Sequence, residues 1–113
     1  MQFESGQLLL VVFPFTDQTA AKVRPVLVVS GHTFNAGEDF VAVPLSSRAE
    51  TGPHIYPISP TEKWFPQTLL KCDSGVKWTK PITISSRVVQ KRLGVVPQNV
   101  LREIQELIKT LFS

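Results

Sequence analysis

Residues 6–30 read GQLLLVVFPFTDQTAAKVRPVLVVS, and the fold follows from this stretch. Leu8 to Phe13 is apolar without a break, and Val26 to Val29 repeats that character. Each run is too short to cross a bilayer and rich enough in β-branched residues to form a strand. Between them lies the polar segment Thr16-Asp17-Gln18-Thr19-Ala20-Ala21-Lys22, which has no reason to be buried. Pro14 has no backbone donor, so the first ladder should end near it. Pro25 biases Arg24 toward an extended backbone. Arg24 is therefore held at the base of the second strand beside a polar loop, an arrangement suited to clamping an anion. The loop from Thr16 to Val23 lies between two prolines and is expected to be a mobile lid.

Working outward, the first strand spans residues 7–13. Leu8, Leu10 and Val12 should face one way, and Leu9, Val11 and Phe13 the other. Both faces are expected to be covered, one by a barrel interior and one by a helix or a second subunit. The second strand should run over residues 24–30. One helical turn is expected at residues 33–37, closed by Gly37. A third strand covers 40–43 and runs into Pro44-Leu45-Ser46-Ser47, with Pro44 implying an edge or a bulge. Shorter strands are expected at 54–58, 68–72 and 81–85, with an ordered loop at 59–66. Pro97 suits a first helical position. Val100, Leu101, Ile104, Leu107, Ile108 and Leu111 then form one apolar stripe of a C-terminal helix. Arg102 and Glu106 are spaced for a weak pair on its wet side. Short strands with one terminal helix predict a small barrel of α+β character, mainly β.

The 113 residues make a single domain, 1–113, with an ordinary 42% apolar fraction. No segment has the roughly 20 consecutive apolar residues of a membrane helix. Met1-Gln2-Phe3-Glu4-Ser5 lacks a basic region, so no secretory signal is expected. One cysteine, Cys72, excludes an internal disulfide and fits a reducing, cytoplasmic setting. The formal charge is only +3. Its distribution is more telling: Lys71, Lys77, Lys80, Arg87, Lys91 and Arg92 fall in one segment whose sole acid is Asp73. Such a segment suits a phosphate backbone, although a solvated surface is the plainer reading. One cysteine and two scattered histidines make no metal-ligand set.

A set of short motifs carries a resemblance. Phe13-Pro14-Phe15-Thr16-Asp17 is followed by Lys22-Val23-Arg24-Pro25 and an apolar strand ending in Ser30. Then come Val43-Pro44-Leu45-Ser46-Ser47, Leu70-Lys71-Cys72-Asp73, and Ile82-Thr83-Ile84 with Arg87 and Leu93-Gly94 behind. The ordered set resembles the MazF/PemK endoribonuclease toxins over nearly the whole chain. The resemblance implies a small Src-homology-3-like β-barrel of the MazF/PemK/CcdB type with a C-terminal α-helix. It also implies a cytoplasmic homodimer that cuts single-stranded RNA sequence-specifically without a metal or other cofactor. A cognate antitoxin would compete with RNA for an interface groove. Two alternatives on the same barrel are a CcdB-like gyrase-binding toxin and an inactive binding module.

Cutting RNA through its own 2′-hydroxyl requires alignment, charge stabilisation on the phosphorane and two proton transfers. Arg24 is the best charge stabiliser, because a guanidinium grips phosphate with two donors and stays charged. Its plainer role is a surface ion pair. Ser46 stands where the resembling family usually carries threonine, and it keeps the hydroxyl donor. Ser46 and Ser47 point to opposite faces if extended, so only one can share a site with Arg24. A turn-forming serine is the alternative for both. Lys71 and Asp73 flank Cys72 and would share a face on a strand. The PemK branch carries an arginine and an aspartate at these places with catalytic work assigned to them. A cross-strand salt bridge is the equal alternative. The resemblance extends to RNA contacts from Phe15, Thr16, Asp17, Lys22 and Arg48, with Phe15 placed to stack on a base. Trp64 and Phe65 are expected to pack internally. No residue presents itself as general base: the first loop has no histidine, and His32 and His54 read as surface residues.

Overall fold

The computed structural model of the protein describes residues 2–13, 22–46 and 51–113. Most of the expected lid, with Phe15, Thr16 and Asp17, lies outside the described residues, as do Ser47 and Arg48. Seven strands form one antiparallel sheet: β1 (Gln7–Phe13), β2 (Lys22–Val28), β3 (Asp39–Ser46), β4 (Tyr56–Ile58), β5 (Ser74–Val76), β6 (Ile82–Ser85) and β7 (Val89–Val95). Their order is β4-β5-β3-β2-β1-β7, with β6 beside the first half of β3. Among the described residues the sheet is joined by two α-helices, the one-turn α1 (His32–Asn35) and α2 (Gln98–Lys109).

Side-chain alternation splits the three central strands between two cores. Leu8, Leu27, Val43 and Leu45 face Val100, Leu101 and Ile104 of α2, together with Ile58, Val76 and Trp78. Leu9, Val11, Val26, Val28, Phe40 and Ala42 face the other way and close on Phe3 and Ile84. Fully burying one such side chain contributes about 1.5–3 kcal/mol, so this double use of each strand drives the fold. The helix covers one face, as expected, and Leu8, Leu9 and Val11 are buried within a single chain. The first strand therefore does not need a second subunit to cover it. Trp64 and Phe65 pack against the helix-side core, also as expected.

The expected closed barrel is not formed by the described pairings, which leave the sheet open. A 3₁₀ turn at Ser86–Val88 carries the chain from β6 to β7, and β7 then pairs with β1 rather than with β6. Val88 and Val89 pack on the second core, so side chains span the gap that no ladder closes.

Three local expectations are corrected, and one strand is new. The strand at 68–72 is absent: Phe65–Thr68 is a 3₁₀ turn and Leu69 is left-handed at φ 58°. The Thr68 hydroxyl accepts from the Leu70 N–H at 3.1 Å and donates to the Phe65 carbonyl at 2.7 Å, taking backbone groups a ladder would need. The strand forms later, at β5. His54 and Ile55 lie in a turn before β4 rather than within it. The helical turn near Phe34 ends at Ala36 in the right-handed region, so Gly37 supplies no left-handed cap. Finally, β7 had no counterpart in the sequence reading, because its charged residues obscure any alternation.

Pro44 sits where β3 changes its outer partner, from β6, which ends opposite Ala42, to β5, which begins opposite Leu45. The Pro44 carbonyl accepts from the Lys77 N–H at 2.9 Å. Its nitrogen faces the same side, where the gap between two short strands asks for no donor. This is the edge-like position the sequence implied.

Candidate active site

The site grows from the β1–β2 hairpin. Register runs from Leu8 opposite Leu27 to Phe13 opposite Lys22, and places Arg24 opposite Val11. Facing residues of an antiparallel pair share a face, so Arg24 lies on the face of Val11 and Val26, at the end of that core. Its side chain is exposed, and it forms no ion pair among the described residues. Lys22, two residues earlier, shares the face and is also exposed.

The β2–β3 ladder pairs Val28 with Ala42, Leu27 with Val43 and Val26 with Pro44, and stops there. Continuing the register by two residues sets Arg24 across from Ser46. The Val29 N–H donates to the Val41 carbonyl at 2.9 Å, which fixes the odd positions of β2 as those bonding to β3. Pro25 falls on an odd position and has no hydrogen to donate. The ladder therefore ends one step before Arg24, and the two strands are not laced together at the pair that matters.

Ser46 is buried at 9% exposure and pairs with Gly75 on its other side. Gly75 has no side chain, so Ser46 has no bulky neighbour across that strand. Asp73 stands two residues before Gly75, just outside β5, and is exposed. The structure thus brings Arg24, Ser46 and Asp73 to the same end of three neighbouring strands. Lys71 is two residues further out, exposed and off any strand, so the premise that pairs it with Asp73 on one strand face fails. Among the described residues neither forms a salt bridge. Cys72 between them is exposed.

The histidines stay apart from this site. His32 starts α1, beyond the far end of β2 from Arg24. His54 packs edge-on against Trp78, with ring centroids 5.6 Å apart. Among the described residues there is no cluster of three or more potential metal ligands.

Two features had no counterpart in the sequence reading. Tyr56 on β4 donates its hydroxyl to a Glu103 carboxylate oxygen on α2. Burial first, and then this carboxylate, push the Tyr56 hydroxyl above the usual tyrosine range. The pair borders a groove of about 730 Å³ that also includes Arg102, Glu106 and Leu107. On that helix Glu106 pairs with Lys109 at 3.0 Å, where the sequence suggested Arg102. Second, Arg92 lies over the Phe3 ring at 4.9 Å from its centroid and donates to the Gln2 carbonyl at 3.3 Å. The run of cations on 71–92 was the only advance signal of it.

A protein-family profile described as PemK-like, MazF-like toxin of type II toxin-antitoxin system matches residues 4–112. No curated protein matches the chain. Among solved structures, a MazE–MazF crystal structure from Deinococcus radiodurans superposes with a TM-score of 0.78 at 23% identity, over 99% of this chain and 96% of that one. A second crystal form gives 0.76 at 24% identity, over 99% and 97%. An endoribonuclease from Mycobacterial species in complex with its cognate antitoxin gives 0.72 at 20% identity, over 98% and 93%. At these identities the likeness establishes a shared fold.

Proposed function

Because the chain belongs to the family of PemK-like, MazF-like toxins of type II toxin–antitoxin systems, we propose that it is a metal-independent endoribonuclease that cuts single-stranded RNA sequence-specifically. What supports this reading is the β2–β3 register, which, continued two residues past its last pair, sets Arg24 across from Ser46. A guanidinium and a hydroxyl placed across from each other suit a phosphodiester.

In this reading the 2′-oxygen of the substrate attacks the adjacent phosphorus and the 5′-oxygen leaves. Arg24 donates two hydrogen bonds to the non-bridging oxygens as charge builds on the phosphorane. Ser46 donates a further one and fixes the register of the phosphate. Asp73, at the same end of the neighbouring strand, is a carboxylate able to take up a proton from the nucleophile. Lys22 adds positive charge on the same face. The departing 5′-oxygen takes its proton from water or from the protonated Asp73, leaving a 2′,3′-cyclic phosphate and a 5′-hydroxyl.

The chain works in this reading as the toxin of a pair. Related folds are solved as MazE–MazF and as an endoribonuclease with its cognate antitoxin, which supports an antitoxin partner here. A homodimer is the expected assembly, and sedimentation at micromolar concentration reads it directly. The exposed Leu111 and Phe112, the latter 80% exposed, are candidates for that contact. No helix among the described residues is long and apolar enough to cross a membrane.

The test is incubation of the purified protein with a long RNA in EDTA, with end-group analysis of the fragments. Cleavage that persists and leaves cyclic phosphates is the expected result. Strict magnesium dependence or 5′-phosphate ends would sink the mechanism.

A further inference from the structure

The strand β7 is irregular. It pairs Lys91 with Leu10 and then Val89 with Val11, so Gln90 is an extra residue bulged out of the ladder. A bulge bends the strand and re-aims the side chains around it. Here it brings Gln90, Lys91 and Arg92 to one cavity of about 260 Å³, floored by Phe3 and walled by Ser86 and Val89. We propose that this cavity is a second phosphate-binding subsite, taking a backbone phosphate of an RNA strand away from the one at the cleavage site. The inference rests on the endoribonuclease reading above and adds a substrate contact to it.

Three observations support it. The lining holds two cations, an amide and a hydroxyl, and no acid. The nearby carboxylate of Glu38 is engaged elsewhere, with Arg87 at 3.1 Å and the Ser85 hydroxyl at 3.0 Å. Arg92 is already positioned: its guanidinium rests on the Phe3 ring and one nitrogen is held by the Gln2 carbonyl. Phe3 is itself fixed edge-on against Phe40, with centroids 5.4 Å apart. A preset arginine loses little freedom on binding, and its remaining donors match a phosphate.

The position also fits. Val89, Val11 and Arg24 form one row across β7, β1 and β2. Arg92 pairs with Leu9, one step down the same face. From strand spacing and rise, the Arg24 and Arg92 backbones are roughly 12 Å apart. One phosphate cannot meet both, so the cavity would take a different phosphate of the strand and set which nucleotides lie beside the cut.

The probe is a fluorescein-labelled 2′-O-methyl RNA of mixed sequence, whose blocked nucleophile prevents cleavage. Its binding is followed by anisotropy across a salt series. In wild type, log K should fall linearly with log salt. The double variant Lys91→Gln/Arg92→Gln should lower the steepness of that slope by about 0.7, the loss of one single-strand phosphate contact. Arg92→Lys should retain the slope, and so should Arg102→Gln, a cation outside the cavity. Lys91→Gln alone, at an exposed position, should weaken binding in the same sense. Wild type that binds while the double variant and Lys91→Gln keep its affinity and slope would overturn the subsite alone. Wild type that binds no RNA would overturn both this inference and the endoribonuclease reading.

Discussion

Pro25 on β2 faces Leu45 on β3 at the first position beyond the end of their ladder, and it has no N–H to give the Leu45 carbonyl. Toward β1 the same residue is harmless, because opposite Leu10 it occupies a pair that exchanges no hydrogen bonds. One proline thus keeps the hairpin intact and unlaces only the side on which the register sets Arg24 across from Ser46.

Replacing it should close the site. Pro25→Val supplies the missing donor and a residue suited to strands. The amide at position 25 should exchange slowly and that of Leu45 more slowly than in wild type, thermal stability should hold or rise, and RNA cleavage should fall about tenfold or more. A Pro25→Val protein that cuts at the wild-type rate would show that the open ladder is incidental.

Arg24→Ala should cost about 10²–10³ in cleavage rate, the usual loss for a preorganised donor to a transition-state oxyanion. Arg24→Lys should recover little, since an ammonium cannot fork. Ser46→Ala should cost less than Arg24→Ala. Because Arg24 is exposed and unpaired among the described residues, its melting temperature should barely move. Rate and melting measured on the same preparations separate catalysis from folding.

The Tyr56–Glu103 contact should appear as a pH-dependent stability difference. The folded state holds the Tyr56 proton more tightly than the unfolded chain does, so the hydroxyl's contribution is complete below the ordinary tyrosine pKa of about 10. It should decline as pH rises through and beyond that value. Denaturant midpoints of wild type minus Tyr56→Phe, taken from pH 7 upward, read this directly. A constant difference across the range would rule the linkage out.

Gly94 admits no side chain. A Cβ there would lie 1.9 Å from the Gln67 carbonyl oxygen and 2.7 Å from the Thr68 carbonyl carbon. Both obstacles are backbone, so the 3₁₀ turn would have to lift off β7. Gly94→Ala should therefore destabilise by at least the 1–3 kcal/mol (about) typical of overpacking. An unchanged melting temperature would show that the turn yields freely.

Sequence alone determined what depends on neighbours in the chain. The first strand, 7–13, is legible because the unbroken apolar run from Leu8 to Phe13, ended by Pro14, has few other uses. The terminal helix is legible from its 3.6-residue stripe, and Arg24 from its place beside Pro25. Tertiary structure decided what depends on partners distant in the chain. The strand expected at 68–72 gave way to a turn once the Thr68 hydroxyl took the backbone groups that pairing required. The β7 strand was hidden because Lys91 and Arg92 look like surface charge until β1 offers an edge to pair with and Phe3 a ring to rest on. Ser46 could be set against Arg24 only through the register of β2 and β3. The missing donor at Pro25 is plain in the sequence; that it faces β3 and not β1 is settled by which odd-numbered residues Val29 and Val41 bring into hydrogen-bonded register.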